Sequence, residues 1–217
     1  MKTSFLKIFA LVAFVAFSSC KDKAKEVETT EAEEASVAEA TALKFKADTE
    51  KSTIEWKGFK PTGSHTGTIA IAKGLINVND GAVESGNFVI DMSSIKVTDI
   101  PLEEEGNAKL AGHLTSADFF DVATYPQAKF EVTGLETVDG KTMLSGNLTM
   151  KDATNNISIP VTTNIEGDNM TLTSEAFTID RSKWNIKYGS KSFFDNLGDR
   201  FINDDIELKV NLVATKA

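Results

Sequence analysis

Apolar and polar residues alternate with period two over most of the chain. Ile54, Trp56 and Gly58 alternate with Glu55 and Lys57, and Phe88, Ile90 and Met92 share one face of a second segment. Phe130 and Val132 lie opposite Lys129, Glu131 and Thr133. Leu144, Gly146, Leu148 and Met150 alternate with Ser145, Asn147 and Thr149. Ile157, Ile159 and Val161 alternate with Ser158, Pro160 and Thr162, and Ile206, Leu208, Val210 and Leu212 with Glu207, Lys209 and Asn211. Successive strand side chains point to opposite faces, so this pattern predicts strands with one apolar and one solvated face.

Turn signals punctuate the strands at Lys73-Gly74, Asn79-Asp80-Gly81, Val138-Asp139-Gly140 and Glu166-Gly167-Asp168. Asp-Gly and Gly-Asp pairs supply the positive φ that tight hairpins need. Short turns imply antiparallel pairing, because parallel strands require long crossovers. Two regions depart from period two. Gly106–Phe120 carries Ala108, Leu110, Ala111, Leu114 and Ala117 at helical spacing and predicts a short helix. Lys191–Arg200 is a candidate for a further helical turn. One helix cannot cover a long apolar sheet face, so the sheet is expected to close into an antiparallel β-barrel of about eight strands, which also removes exposed edges.

The first residues follow another logic. Lys2 and Lys7 precede an uninterrupted apolar run, Ile8–Phe17, too short to span a bilayer and typical of a secretory signal peptide over residues 1–19. Cys20, the chain's one cysteine, follows Ser18-Ser19 and cannot form an internal disulfide. Phe17-Ser18-Ser19-Cys20 resembles a bacterial lipobox, which implies acylation of Cys20 and membrane attachment through it. Residues 20–43 then read as an acidic tether. From Lys21 to Leu43, three lysines face seven acids, with no aromatic, Gly or Pro and no apolar stripe to bury. The folded domain is expected over 44–217, a length suited to one unit.

Charge narrows the partners. Losing Lys2 and Lys7 with the leader takes the net charge from −9 to −11, which disfavours nucleic acid. The two histidines, His65 and His113, have no companions at metal-ligand spacing, and no GxSxG or paired CxxC is present. No metal, cofactor or catalytic group is therefore assigned. Asp180-Arg181 and Trp184 read as an ion pair and an aromatic plug at a barrel end, and Glu103-Glu104-Glu105 as a solvated loop. The sequons at Asn147, Asn156 and Asn169 read as chance matches.

His113-Leu114-Thr115-Ser116-Ala117-Asp118-Phe119-Phe120-Asp121-Val122, followed by Tyr125-Pro126-Gln127-Ala128-Lys129-Phe130, resembles the most characteristic stretch of the YceI-like family. Gly146–Lys151 and Ile157–Val161 resemble its next hairpin, Phe177–Tyr188 its penultimate strand and following turn, and Asp204–Leu208 its last strand. The resemblance implies a lipocalin-like barrel with a helical insertion, an exported protein, and an interior that holds a polyisoprenoid or other long-chain amphiphile. It also implies a structural role for His113 and Asp118.

The inward-facing residues Ile54, Trp56, Phe88, Ile90, Phe130, Val132, Leu144, Gly146, Leu148, Ile157, Ile159, Ile206 and Leu208 are the candidate ligand contacts. The same residues can instead fill the core. Gly58 and Gly146 favour a cavity, because glycine leaves space on a strand. The expected function is binding, storage or transport of such a lipid in the cell envelope, at the outer membrane. The alternatives are an envelope interaction protein with a filled barrel, and a lipid-acting enzyme.

Overall fold

The computed structural model describes residues 24–217, so Cys20 and the leader lie outside the described residues. The alternating segments form β2 (Leu43–Ala47), β3 (Thr53–Lys60), β4 (Gly63–Asn79), β5 (Ala82–Val97), β6 (Gln127–Val138), β7 (Lys141–Met150) and β8 (Ala153–Glu166). They continue through β9 (Asn169–Ser174), β10 (Phe177–Asp180) and β11 (Asp205–Lys216); a short strand, β1 (Thr29–Glu31), precedes them. Antiparallel ladders join β3, β4, β5, β6, β7, β8, β9 and β11 in that order, and β11 pairs back onto β3. The sheet is thus a closed ring of eight positions, although it contains eleven strands.

Two of those positions are occupied by broken strands. β2 and β3 lie in line between β4 and β11, and β9 and β10 share the other flank of β11. Each break is mended by a serine. Ser52 Oγ donates to the Val213 carbonyl at 3.1 Å and accepts the Val213 amide at 3.0 Å, while Ser174 Oγ accepts the Val210 amide at 2.8 Å. The two hydroxyls thus accept the Val213 and Val210 amides where the neighbouring strands break off.

Hairpins form at three of the four expected places. Asp80 and Gly81 take φ of 49° and 81°, Asp139 and Gly140 take 50° and 77°, and Gly167 takes 59°. Lys73-Gly74 is not a turn but lies inside the 17-residue β4. The ladder to β5 slips between Ile71 and Lys73, so Ala72 and Lys73 both face outward and the buried phase shifts from Ile69 and Ile71 to Ile76 and Val78. A bulge re-aims a strand in this way.

The largest correction concerns residues 24–43. They do not form a free tether; from Ala24 onward they lie on the barrel as a belt. The Val27 amide donates to the Thr178 carbonyl, the Thr178 amide donates to Lys25, and β1 pairs with Asn155–Ile157 of β8. This segment therefore fills the gap where β10 parts from β8, and Val27 joins the core at 9% exposure. Farther on, Asn147 exchanges two hydrogen bonds with the Glu33 backbone, at 3.0 and 2.7 Å. Ser36 donates to the Val132 and Thr133 carbonyls, and the Glu39 amide to Glu84. Asn147 and Asn156, outward on their strands, are consequently buried. The belt is held by backbone and amide groups rather than by an apolar stripe, which is why patterning does not reveal it.

The helix α1 (Glu105–Thr115) is shorter than expected, since the chain turns at Ser116, whose amide bonds back to His113. Its start is pinned by buried Asn107, which donates to the Val97 and Ile100 carbonyls at the end of β5. The second helical region contains only a 3₁₀ turn, Gly198–Arg200.

Candidate functional site

One end of the barrel carries the β3–β4 turn, α1 and the segment linking β10 to β11. Inside that end is a cavity of about 260 Å³. Of the candidate contacts it is lined by Ile54, Trp56, Ile90, Leu148, Ile206 and Leu208. A deeper cavity of about 90 Å³ is lined by Phe88, Phe130, Leu144, Ile157 and Ile159. Ile54, Ile90, Leu148 and Leu208 border both, so the two chambers follow one another along the barrel axis across a shared aliphatic waist.

Two candidates lie outside both linings. Val132 is 1% exposed and packed in the core. Gly146 faces inward, yet no space opens above it: a Cβ there would fall 2.3 Å from Phe130 Cζ. The glycine that does leave room is Gly58, which lines the larger chamber and would have nothing within 4 Å of a Cβ.

Strand alternation missed the residues that close the chamber from above. Leu110, His113 and Leu114 descend from α1, and Phe119 and Phe120 from the turn after it. The adjacent aromatics Phe119-Phe120 are the local signal, but a turn has no periodicity to assign them a face. His113 packs edge-on against Phe119 at 5.8 Å and Tyr188 at 4.7 Å. Burial pushes its imidazole below the ordinary value, partly opposed by Asp118. Its Nε2 and the indole Nε1 of Trp56 are buried without hydrogen-bond partners among the described residues.

Arg181, also on this lining, is fully buried. Its guanidinium donates to the carbonyls of Asn203, Ile186 and Ile202 and lies 3.3 Å from Asp204. The ion pair is therefore with Asp204 rather than with its neighbour Asp180, whose carboxylate caps the Ser182 amide. Trp184 is the expected plug, with no exposure and Nε1 donating to Leu148 at 2.8 Å. Arg181 and Trp184 thus fasten the β10–β11 segment over the chamber.

At the entrance lie Lys60, Thr62, Gly63, Ser64 and His65. His65 Nδ1 lies 2.8 Å from Asp99, whose other oxygen accepts the Thr66 amide. Burial works against the Asp99 charge, but these two partners hold its carboxyl below the usual carboxylate range. The site thus presents an apolar body with a few polar groups at its mouth, the lining suited to solvating an apolar chain.

The model of the YceI-like domain matches residues 45–214. A UPF0312 protein of Pseudomonas putida strain GB-1 is 30% identical over 141 residues, 61% of this chain and 68% of that protein. A UPF0312 protein of Pseudomonas savastanoi pv. phaseolicola is 35% identical over 89 residues, covering 38% of this chain and 46% of the relative. Among solved structures, Burkholderia cenocepacia BcnA superposes with a TM-score of 0.62 at 24% identity, covering 78% of this chain and 99% of its own. A polyisoprenoid binding domain from Saccharophagus degradans superposes at 0.58 and 15% identity, covering 81% and 99%.

Proposed function

The chain belongs to the YceI-like family, and we propose that it holds one long-chain amphiphile of polyisoprenoid type, with the apolar chain along the two chambers and the polar end at the mouth. The observation that carries this reading is the aliphatic waist of Ile54, Ile90, Leu148 and Leu208, which joins the chambers into an elongated apolar space. Such a shape suits an unbranched or isoprenoid chain, whose burial gains roughly 25 cal/mol per Å². The polyisoprenoid binding domain of S. degradans, which shares this fold, supports the ligand class. Its role is binding or carriage rather than catalysis. We further propose that the protein works in the cell envelope, tethered to the outer membrane through an acylated Cys20.

Solvent extraction of the purified full chain, followed by mass spectrometry, tests the cargo. Roughly one equivalent of a long-chain lipid is expected, as for a barrel sized to hold a single ligand. An empty extract, together with failure to take up added polyprenol, would mean that the barrel does not carry lipid and would favour a partner docked on its outer face.

A further inference from the structure

The end that holds the cavity mouth also holds an exposed aromatic rim. Tyr188, Phe193 and Phe194 are 45%, 46% and 50% exposed, and all three come from the β10–β11 segment. Tyr188 rests on His113, a wall of the larger chamber, so rim and mouth are continuous. Ammonium groups lie over the rings of this end: Lys187 Nζ is 4.8 Å from the Phe193 centroid, and Lys191 Nζ is 3.7 Å from that of Phe201. Rings at head-group depth with lysines reaching toward water are the pattern of a membrane–water interface. Glu103–Glu105 project from the same end, which leaves its charge mixed and suits a zwitterionic surface better than an anionic one.

The path of the chain gives an independent measure. The Ala24 amide donates to Glu207 and its carbonyl accepts from Thr178, each at 3.0 Å. Glu207 is two residues from the mouth end of β11 and nine from the other. Cys20 precedes Ala24 by four residues, a reach of at most about 14 Å. The far end of β11 is about 30 Å from Glu207. An acyl chain on Cys20 therefore holds the mouth end, and not the opposite end, next to its membrane.

We infer that this rim docks on a zwitterionic bilayer and seats the barrel mouth against it, so that cargo passes between bilayer and barrel without crossing open water. The inference rests on the cargo and anchor readings above. It is tested with the acylated full chain in phosphatidylethanolamine–phosphatidylcholine vesicles. Acylation consumes the chain's one thiol, so Asp195→Cys beside the rim and Asp139→Cys at the opposite end can each carry a single nitrobenzoxadiazole label. The label at position 195 should shift to the blue and be quenched several-fold more by spin-labelled lipid than the label at 139. Pairing Phe193→Ser with Phe194→Ser should leave the anchored protein on the vesicle and the extracted lipid unchanged, since neither ring lines the cavity. It should cut the blue shift and quenching of the 195 label several-fold; an unchanged 195 signal in that variant would assign the seating to the anchor alone and overturn the inference. Equal quenching at both positions, deeper quenching at 139, or failure of the protein to float with the vesicles overturns the inference. Docking with an empty extract sinks the cargo reading alone, and a loaded barrel with an unquenched 195 label sinks docking alone.

Discussion

Inward-facing glycines in this barrel serve two opposite ends. Gly67, Gly74 and Gly146 are each covered by an aromatic ring, from Trp56, Phe88 and Phe130 respectively, and a Cβ would come within 2.6 Å of each ring. Gly58 instead borders open cavity. Gly146→Trp should cost about 1–3 kcal/mol in urea denaturation, the usual penalty of overpacking. Gly58→Phe should leave stability within about 0.5 kcal/mol yet exclude lipid from the extract, because it fills space that packing does not use. A fully loaded Gly58→Phe protein would place the ligand elsewhere. His113 yields a pH prediction. Its folded-state value lies below its ordinary 6.5, so the unfolded chain takes up a proton first as pH falls. Stability should therefore drop below about pH 6.5 and level off once the folded imidazole also protonates. Urea midpoints measured across this range should slope less in His113→Gln. An equal slope would assign the pH dependence to other groups.

At the level of elements, the belt is the part of the fold that patterning hides. β5 and β6 pair only over Asn87–Asp91 and Gln127–Glu131, and β10 parts from β8, so the ring ladders are incomplete without further donors and acceptors. Val27, β1 and Ser36 supply them, and Glu33 fastens the belt to the Asn147 side chain. A chain beginning at Leu43 loses the burial of Val27 and a set of hydrogen bonds worth roughly 1 kcal/mol each. Its thermal midpoint should fall on the order of 10 °C, at about 2–4 °C per kcal/mol for a domain of this size. Scanning calorimetry of the two forms checks this, and coincident midpoints would reduce the belt to a passive covering. The two buried asparagines beneath it, Asn147 and Asn156, were the legible hint: amides on an otherwise solvated strand face, within reach of a passing backbone.

The whole molecule couples an incompletely filled interior to a closed ring. A bound ligand stabilises the folded state by mass action, by about 2.7 kcal/mol at a hundred times its dissociation constant. Removing the cargo with solvent should therefore lower the thermal midpoint by roughly 5–10 °C, and reloading with polyprenol should restore it. A midpoint indifferent to both treatments would indicate a barrel complete without ligand. Solvent access is set at the mouth, where the Asp99 clip on Thr66 and His65 secures the β3–β4 hairpin on one side and Arg181 secures the β10–β11 segment on the other.

Period-two alternation determined the strands, the apolar inner face and the need for closure, and the short turns determined the antiparallel pairing, because a strand's side chains alternate strictly, parallel strands need long crossovers, and one helix cannot shield so much apolar surface. Eleven of the thirteen candidate contacts, Ile54 and Leu208 among them, line the chambers for that reason. The motifs from His113 to Phe130 and from Phe177 to Leu208 were enough to point to the family. Only the tertiary structure decided which inward positions are hollow. Gly58 and Gly146 have the same strand pattern, and what distinguishes them is whether a ring from a neighbouring strand leans over the gap. It also decided the belt, since backbone hydrogen bonds formed across more than a hundred residues leave no trace in local hydrophobicity.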